Sequence, residues 1–133
     1  MRGFIPYQNE DGRVAPWEYL PCGAITPKLG MALVQSSGVF AIATGTTRPT
    51  HISMVEKSAA CTCGDLIPVI RVQPDQVFEC TNSASLSGVS IGSKVTLHAS
   101  NGCQVTGTTT SGVARIVAKD GDSSGSRVLV CFD

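Results

Sequence analysis

A chain of 133 residues fits a single domain, and a chain of that size buries about 68–70% of its unfolded surface, so a core can form without covalent staples. Ten basic and ten acidic side chains cancel, which excludes the basic stripe of a nucleic-acid binder and leaves little charge repulsion against self-association. No apolar run is long enough for a membrane helix of about 20 residues. Only 15% of residues are charged and 5% aromatic, with 14 glycines and 7 prolines. Low charge with abundant Gly, Ser, Thr and Val predicts an all-β chain rich in turns.

Residues 1–21 read as an extended N-terminal arm. Pro6, Pro16 and Pro21 interrupt any helix and cannot donate to a ladder. Asn9-Glu10-Asp11-Gly12 is a turn signal. No continuous apolar core precedes Pro6, so a secretory leader is not expected, and synthesis in a cytoplasm is. Yet the segment carries Phe4, Ile5, Tyr7, Trp17, Tyr19 and Leu20, including the sole tryptophan and both tyrosines. A disordered tail is poor in such residues. The arm either folds back over its own domain or lies on a neighbouring subunit, and aromatic anchors suit the second role. Phe4, Tyr7, Trp17 and Tyr19 are the candidate partner-binding residues. On this reading, removing residues 1–21 leaves the rest folded.

Residues 22–133 read as an antiparallel β-barrel or sandwich of about eight strands, with no helix longer than two turns. Cys22–Thr26 is a candidate first strand. Gly30–Gln35 and Val39–Ala43 flank the turn at Ser37-Gly38, and Thr50–Val55 follows. Asp65–Val72 is a strand whose Pro68 predicts an edge or a bulge. Val77–Cys80 is another. Ile91–His98 and Cys103–Thr106 flank Asn101-Gly102, the strongest local hairpin signal. Val113–Ala118 and Arg127–Phe132 complete the set, joined by the Gly/Ser/Asp loop at 120–126. With Gly38 set against Gly102, the two stretches share a plan: strand, tight turn, strand, Thr/Gly loop, strand. Two similar meanders in one domain are implied, not a solenoid, which needs about three or more units.

Cys22, Cys61, Cys63, Cys80, Cys103 and Cys131 raise the question of metal or disulfides. One residue between Cys61 and Cys63 is short of the two to four that zinc sites use, and a cytoplasmic chain keeps its thiols reduced. Plain thiols, some disulfide, or a metal held by Cys61, Cys63 and a distant third ligand remain the alternatives. No cofactor is expected. His51 and His98 could serve as general bases, but no nucleophile motif accompanies them, so both read as ordinary polar strand positions. Asp120-Gly121-Asp122 matches a calcium loop only in composition. The Gly107–Gly112 run lacks the lysine of a phosphate loop. No enzymatic constellation emerges.

The series Gly92-x-Lys94-Val95-x-Leu97, Gln104-Val105-Thr106, Gly112-Val113-Ala114-Arg115-Ile116 and Arg127-Val128-Leu129-Val130 resembles the small β-barrel head-decoration proteins of tailed bacteriophages. Gly30-Met31-Ala32-Leu33 and Gly38-Val39-Phe40-Ala41 are similar to their first half, and Arg71–Glu79 to a connector in such proteins. The resemblance spans roughly residues 24–132; the six cysteines and the aromatic arm depart from it. It implies a non-enzymatic virion protein, made in the host cytoplasm, that binds the outer surface of the major capsid protein lattice. It further implies contact with neighbouring copies of itself, often as a trimer, with no nucleic-acid or membrane partner. Another phage part of similar build (head completion, tail tube or fibre base) is the alternative, as is a small carbohydrate- or metal-binding β module.

Overall fold

The computed structural model describes residues 2–9 and 16–133, and these contain eleven strands and no helix. Two strands fall in the leader: β1 (Ile5–Asn9) and β2 (Trp17–Pro21). Nine follow: β3 (Ala32–Ser36), β4 (Val39–Ile42), β5 (His51–Ser53), β6 (Leu66–Arg71), β7 (Gln76–Asn82), β8 (Lys94–Val95), β9 (Gln104–Val105), β10 (Ala114–Lys119) and β11 (Arg127–Cys131). They form two sheets packed as a sandwich, not a closed barrel. The first runs β1-β7-β11-β10-β8, and the second β2-β6-β5-β3-β4. Pairing is antiparallel throughout, except that β9 lies parallel to the end of β7, on the flank that β1 occupies earlier.

The main core lies between the sheets, where Phe4, Ile52, Phe78, Ile116, Val130 and Phe132 are buried. A second cluster gathers Cys22, Leu33, Phe40, Ile67, Val69 and Cys103 on the other face of the second sheet. Both faces of β6 are therefore covered: Ile67 and Val69 join one cluster and Ile70 the other. This is why the strand reads as an almost unbroken apolar run. The second sheet curls so far that β2 approaches β4. A single parallel bridge, Cys22↔Phe40, joins its two ends, with Gly23 N–H on Phe40 O at 3.0 Å. Cys22 makes only that bridge, so the strand expected at 22–26 is absent.

Of the two alternatives for the leader, it folds back onto its own domain, and it does so as strands of both sheets. The boundary placed at residue 21 does not separate an arm from a body, because β1 pairs with β7 and β2 pairs with β6 along its whole length. Each leader strand forms an edge of a different sheet. Phe4 is wholly buried, its ring edge-on to Phe132 at 5.2 Å, with Phe78 5.7 Å from Phe132 on another side. The backbone fixes it there: Gly3 N–H donates to Leu29 O at 2.8 Å and Phe4 N–H to Gly30 O at 2.6 Å. Gly30 has φ +81°, and a Cβ on it would lie 2.7 Å from Phe4 N. Only glycine combines that backbone geometry with so close an approach. Prolines did not prevent strand formation, since an edge strand has one unpaired flank where a missing donor costs nothing.

Pro68 is the second correction. It lies in β6, an interior strand with β2 and β5 on its two sides, rather than at an edge. Its carbonyl accepts from Met54 N–H at 2.9 Å, just past Ser53, where β5 ends. A strand residue aims its N–H and C=O to the same side, so the missing donor falls where the β5 pairing has stopped. Of the two predicted turns, Ser37-Gly38 is as tight as expected. Ser36 pairs with Val39, and both central residues have positive φ, +53° and +83°, the geometry of a two-residue hairpin. Asn101-Gly102 instead sits in a wider loop. His98 N–H donates to Gln104 O and Thr106 N–H to Thr96 O, both at 2.9 Å, but only Leu97↔Val105 forms a bridge. The Asn101 side chain accepts from Cys103 N–H at 2.7 Å and turns the chain there.

Candidate functional site

Three of the four leader aromatics face outward. Tyr7, Trp17 and Tyr19 are 55%, 59% and 64% exposed; Phe4 belongs to the core and is unavailable to a partner. Tyr7 falls where the β1–β7 register slips, between Pro6 and Gln8. A bulge at a sheet edge re-aims the extra side chain. Trp17 and Tyr19 alternate to one face of β2, opposite Ile70 and Pro68, and the next pair in register is Pro21 with Leu66. Leu66 is itself 61% exposed. Trp17, Tyr19 and Leu66 thus stand in one apolar row, flanked by two prolines. Isolated exposed apolar residues need no explanation, but a contiguous row marks a contact surface.

The opposite face of β2 carries different chemistry. Glu18 lies beside His51 of β5 and Arg71 of β6. Arg71 Nη2 donates to Glu18 Oε1 at 3.1 Å, while His51 Nε2 stands 3.8 Å from Glu18 Oε2, too far for a hydrogen bond. Both of those atoms are buried without a hydrogen-bond partner among the described residues. His51 is only 5% exposed and packs on the Phe40 ring at 5.0 Å. Burial holds its pKa below the usual value; Glu18 opposes that shift and Arg71 adds to it. The Thr50 hydroxyl accepts from Gln35 N–H at 3.2 Å and lies 2.9 Å from His51 Nδ1. An open cleft of about 500 Å³ adjoins this cluster, lined by Leu20, Gln35, Arg48, Thr50, His51, Arg71 and Val72. No local pattern signals the cluster, because its members are scattered over three strands and β2 reads as an arm.

The remaining candidates resolve into structural roles. His98 Nδ1 accepts from the backbone N–H of Ser100 and of Asn101, each at 3.1 Å, so it caps the loop it begins. Cys61 and Cys63, the alternative metal ligands, are split: Cys61 is buried and Cys63 exposed. No disulfide joins any of the six cysteines among the described residues. No group of three or more His, Cys, Asp or Glu among the described residues is placed to hold a metal ion. Cys61 joins Cys22 in the second cluster instead. Burial first, and then the neighbouring Cys61, push Cys22 up to about 12. Burial likewise raises Cys103 to about 11, and Cys80 higher still. Thiols so disfavoured as thiolates are poor nucleophiles. The 120–126 loop is the β10–β11 hairpin connection, where Asp122 meets Lys119 at 2.6 Å and Asp120 meets Arg127 at 3.0 Å.

No helix of the described residues is long and apolar enough to cross a membrane. No family model, curated protein or solved structure matches this chain.

Proposed function

We propose that this protein is a structural subunit of a phage head, a decoration protein that binds the outer capsid surface through the exposed edge of β2. The observation that carries the reading is the row of Trp17, Tyr19 and Leu66 on that edge. Trp and Tyr are the residues most enriched among binding anchors. An edge strand with an apolar face is a hazard that proteins blunt unless it is used. Here Pro21 at the end of β2 and Pro6 in β1 remove backbone donors from both leader edges, which discourages runaway strand addition while leaving side chains free to dock. The buried, high-pKa thiols and the loop-capping His98 favour a non-catalytic role. Binding only the assembled lattice stabilises that lattice by mass action. Neighbouring copies, with a trimer favoured, would surround each lattice axis.

The test is electron cryo-microscopy of undecorated heads of the parent phage incubated with the purified protein. Density covering the shell in many copies, with β2 facing the lattice, is the expected result. Bare shells, or density confined to a vertex or the tail, would overturn the decoration reading.

A further inference from the structure

We propose that the cleft beside β5 binds a carboxylate between the guanidinium groups of Arg48 and Arg71, and that its arrival passes Glu18 from Arg71 to His51. The inference stands apart from capsid docking, because Glu18 and the Trp17/Tyr19 row lie on opposite faces of β2. It starts from a frustrated pair. A buried imidazole nitrogen and a buried carboxylate oxygen face each other 3.8 Å apart with no hydrogen bond between them. Leaving such groups unsatisfied is costly, and a closer approach of about 1 Å would join them. What holds Glu18 out is Arg71, on its other oxygen at 3.1 Å. Arg71 is the more exposed partner, with its side chain 64% exposed against 33% for Glu18, so it is the one a ligand in the cleft can reach.

Arg71 and Arg48 both line the cleft. Arg48 is anchored through Nε to Phe132 O at 3.1 Å, with a second contact from Nη2. A carbonyl cancels no charge, so Arg48 keeps its own. Two guanidiniums suit a planar oxyanion, which they grip with paired hydrogen bonds, and Gln35 and Thr50 add polar groups to the wall. Glu18 stays within the cluster, so a phosphate, which concentrates up to two charges on one group, meets more like-charge repulsion there than one singly charged carboxylate of a larger molecule does. Once Arg71 turns to the ligand, Glu18 is released toward His51 Nε2. The charged and titratable groups around His51 are Glu18 from β2, Arg71 from β6 and Arg48 on the cleft wall; Phe40 of β4 and Leu33 of β3 carry none. Drawing the carboxylate closer and the guanidinium away both favour the imidazolium. Ligand binding therefore raises the His51 pKa, and by reciprocity affinity rises as pH falls through the His51 titration.

The experiment is an NMR titration of the full chain that follows the His51 ring and the arginine side chains, with succinate, a triglutamate peptide and inorganic phosphate as probes. Succinate or the peptide should shift Arg48, Arg71 and Gln35 and raise the His51 pKa. Tighter binding of the peptide assigns the site to an acidic segment of a partner protein, and tighter binding of succinate to a free carboxylate; either supports the proposal. Arg71→Met should weaken binding at least tenfold while Arg71→Lys retains part of it, and Arg48→Met serves if Arg71→Met does not fold. Glu18→Gln should still bind, but His51 should no longer respond. Phosphate binding as tightly as succinate, an unmoved His51 in the saturated protein, or no response to either carboxylate would overturn the proposal.

Discussion

The two ends of the leader share a composition and have opposite fates. Phe4, just before β1, is wholly enclosed among Phe78 and Phe132, with its backbone bonded to Gly30. Trp17 and Tyr19, thirteen and fifteen residues on, stand more than half exposed on the edge of the other sheet. Apolar content therefore states that a side chain is to be buried, but not where: in its own core, or against another surface. Edge position decides between the two. Phe4 precedes a strand whose inner face meets the intersheet core, whereas the Trp17/Tyr19 row extends past the cover that the first sheet provides.

The largest expected effect lies at the buried end. Phe4→Ala should cost about 3–5 kcal/mol, as truncation of a fully enclosed phenylalanine does, measured by urea unfolding. Deletion of residues 1–21 should go further and abolish cooperative folding, since it strips one strand from each sheet. A truncated chain that melts like the full one would erase the distinction between the two ends. Next comes the clasp. Gly30→Ala places a Cβ against the Phe4 backbone at positive φ and should destabilise by roughly 1–3 kcal/mol. Because the strain falls on the leader contact, hydrogen exchange at Gly3 and Phe4 should quicken before that of the other strands.

A smaller, pH-dependent effect belongs to the far face of β2. Burial lowers the His51 pKa in the folded state, so below about pH 6.5 the unfolded chain takes up the proton more readily. Stability should fall as pH drops from about 6.5 to the folded-state pKa and then level off, with a slope of at most about 1.4 kcal/mol per unit from this group. His51→Gln should remove that segment of the stability–pH curve. The smallest expected effect is at the exposed end, where Trp17→Ala with Tyr19→Ala should alter stability by no more than about 0.5 kcal/mol per site.

Much of the sandwich was legible because its signals are local. Ser37-Gly38 fixes its turn by φ alone, and the runs at 66–71, 114–119 and 127–131 carry enough β-branched and apolar residues to declare themselves. The leader strands were hidden by their prolines, which argue against a strand only when both flanks must pair. Pro68 misled for the same reason, since the sequence does not show where a neighbouring strand stops. Asn101-Gly102 signalled a turn, but the His98 and Asn101 side chains widened it by capturing backbone donors. Of the candidate site, the aromatic row was visible residue by residue, though Phe4 was wrongly grouped with it. The Glu18–His51–Arg71 cluster depends on the order β2-β6-β5, which no local pattern encodes.

The account turns on whether the exposed end of the leader is a docking surface. On the proposed decoration role, the direct measurement is the occupancy of phage heads by the Trp17→Ala/Tyr19→Ala double variant, taken at a temperature where its unfolding curve overlays that of the unaltered protein. The account predicts at least a tenfold loss of affinity, in keeping with roughly 1–2 kcal/mol for each aromatic anchor removed. Full occupancy by a folded double variant would contradict it.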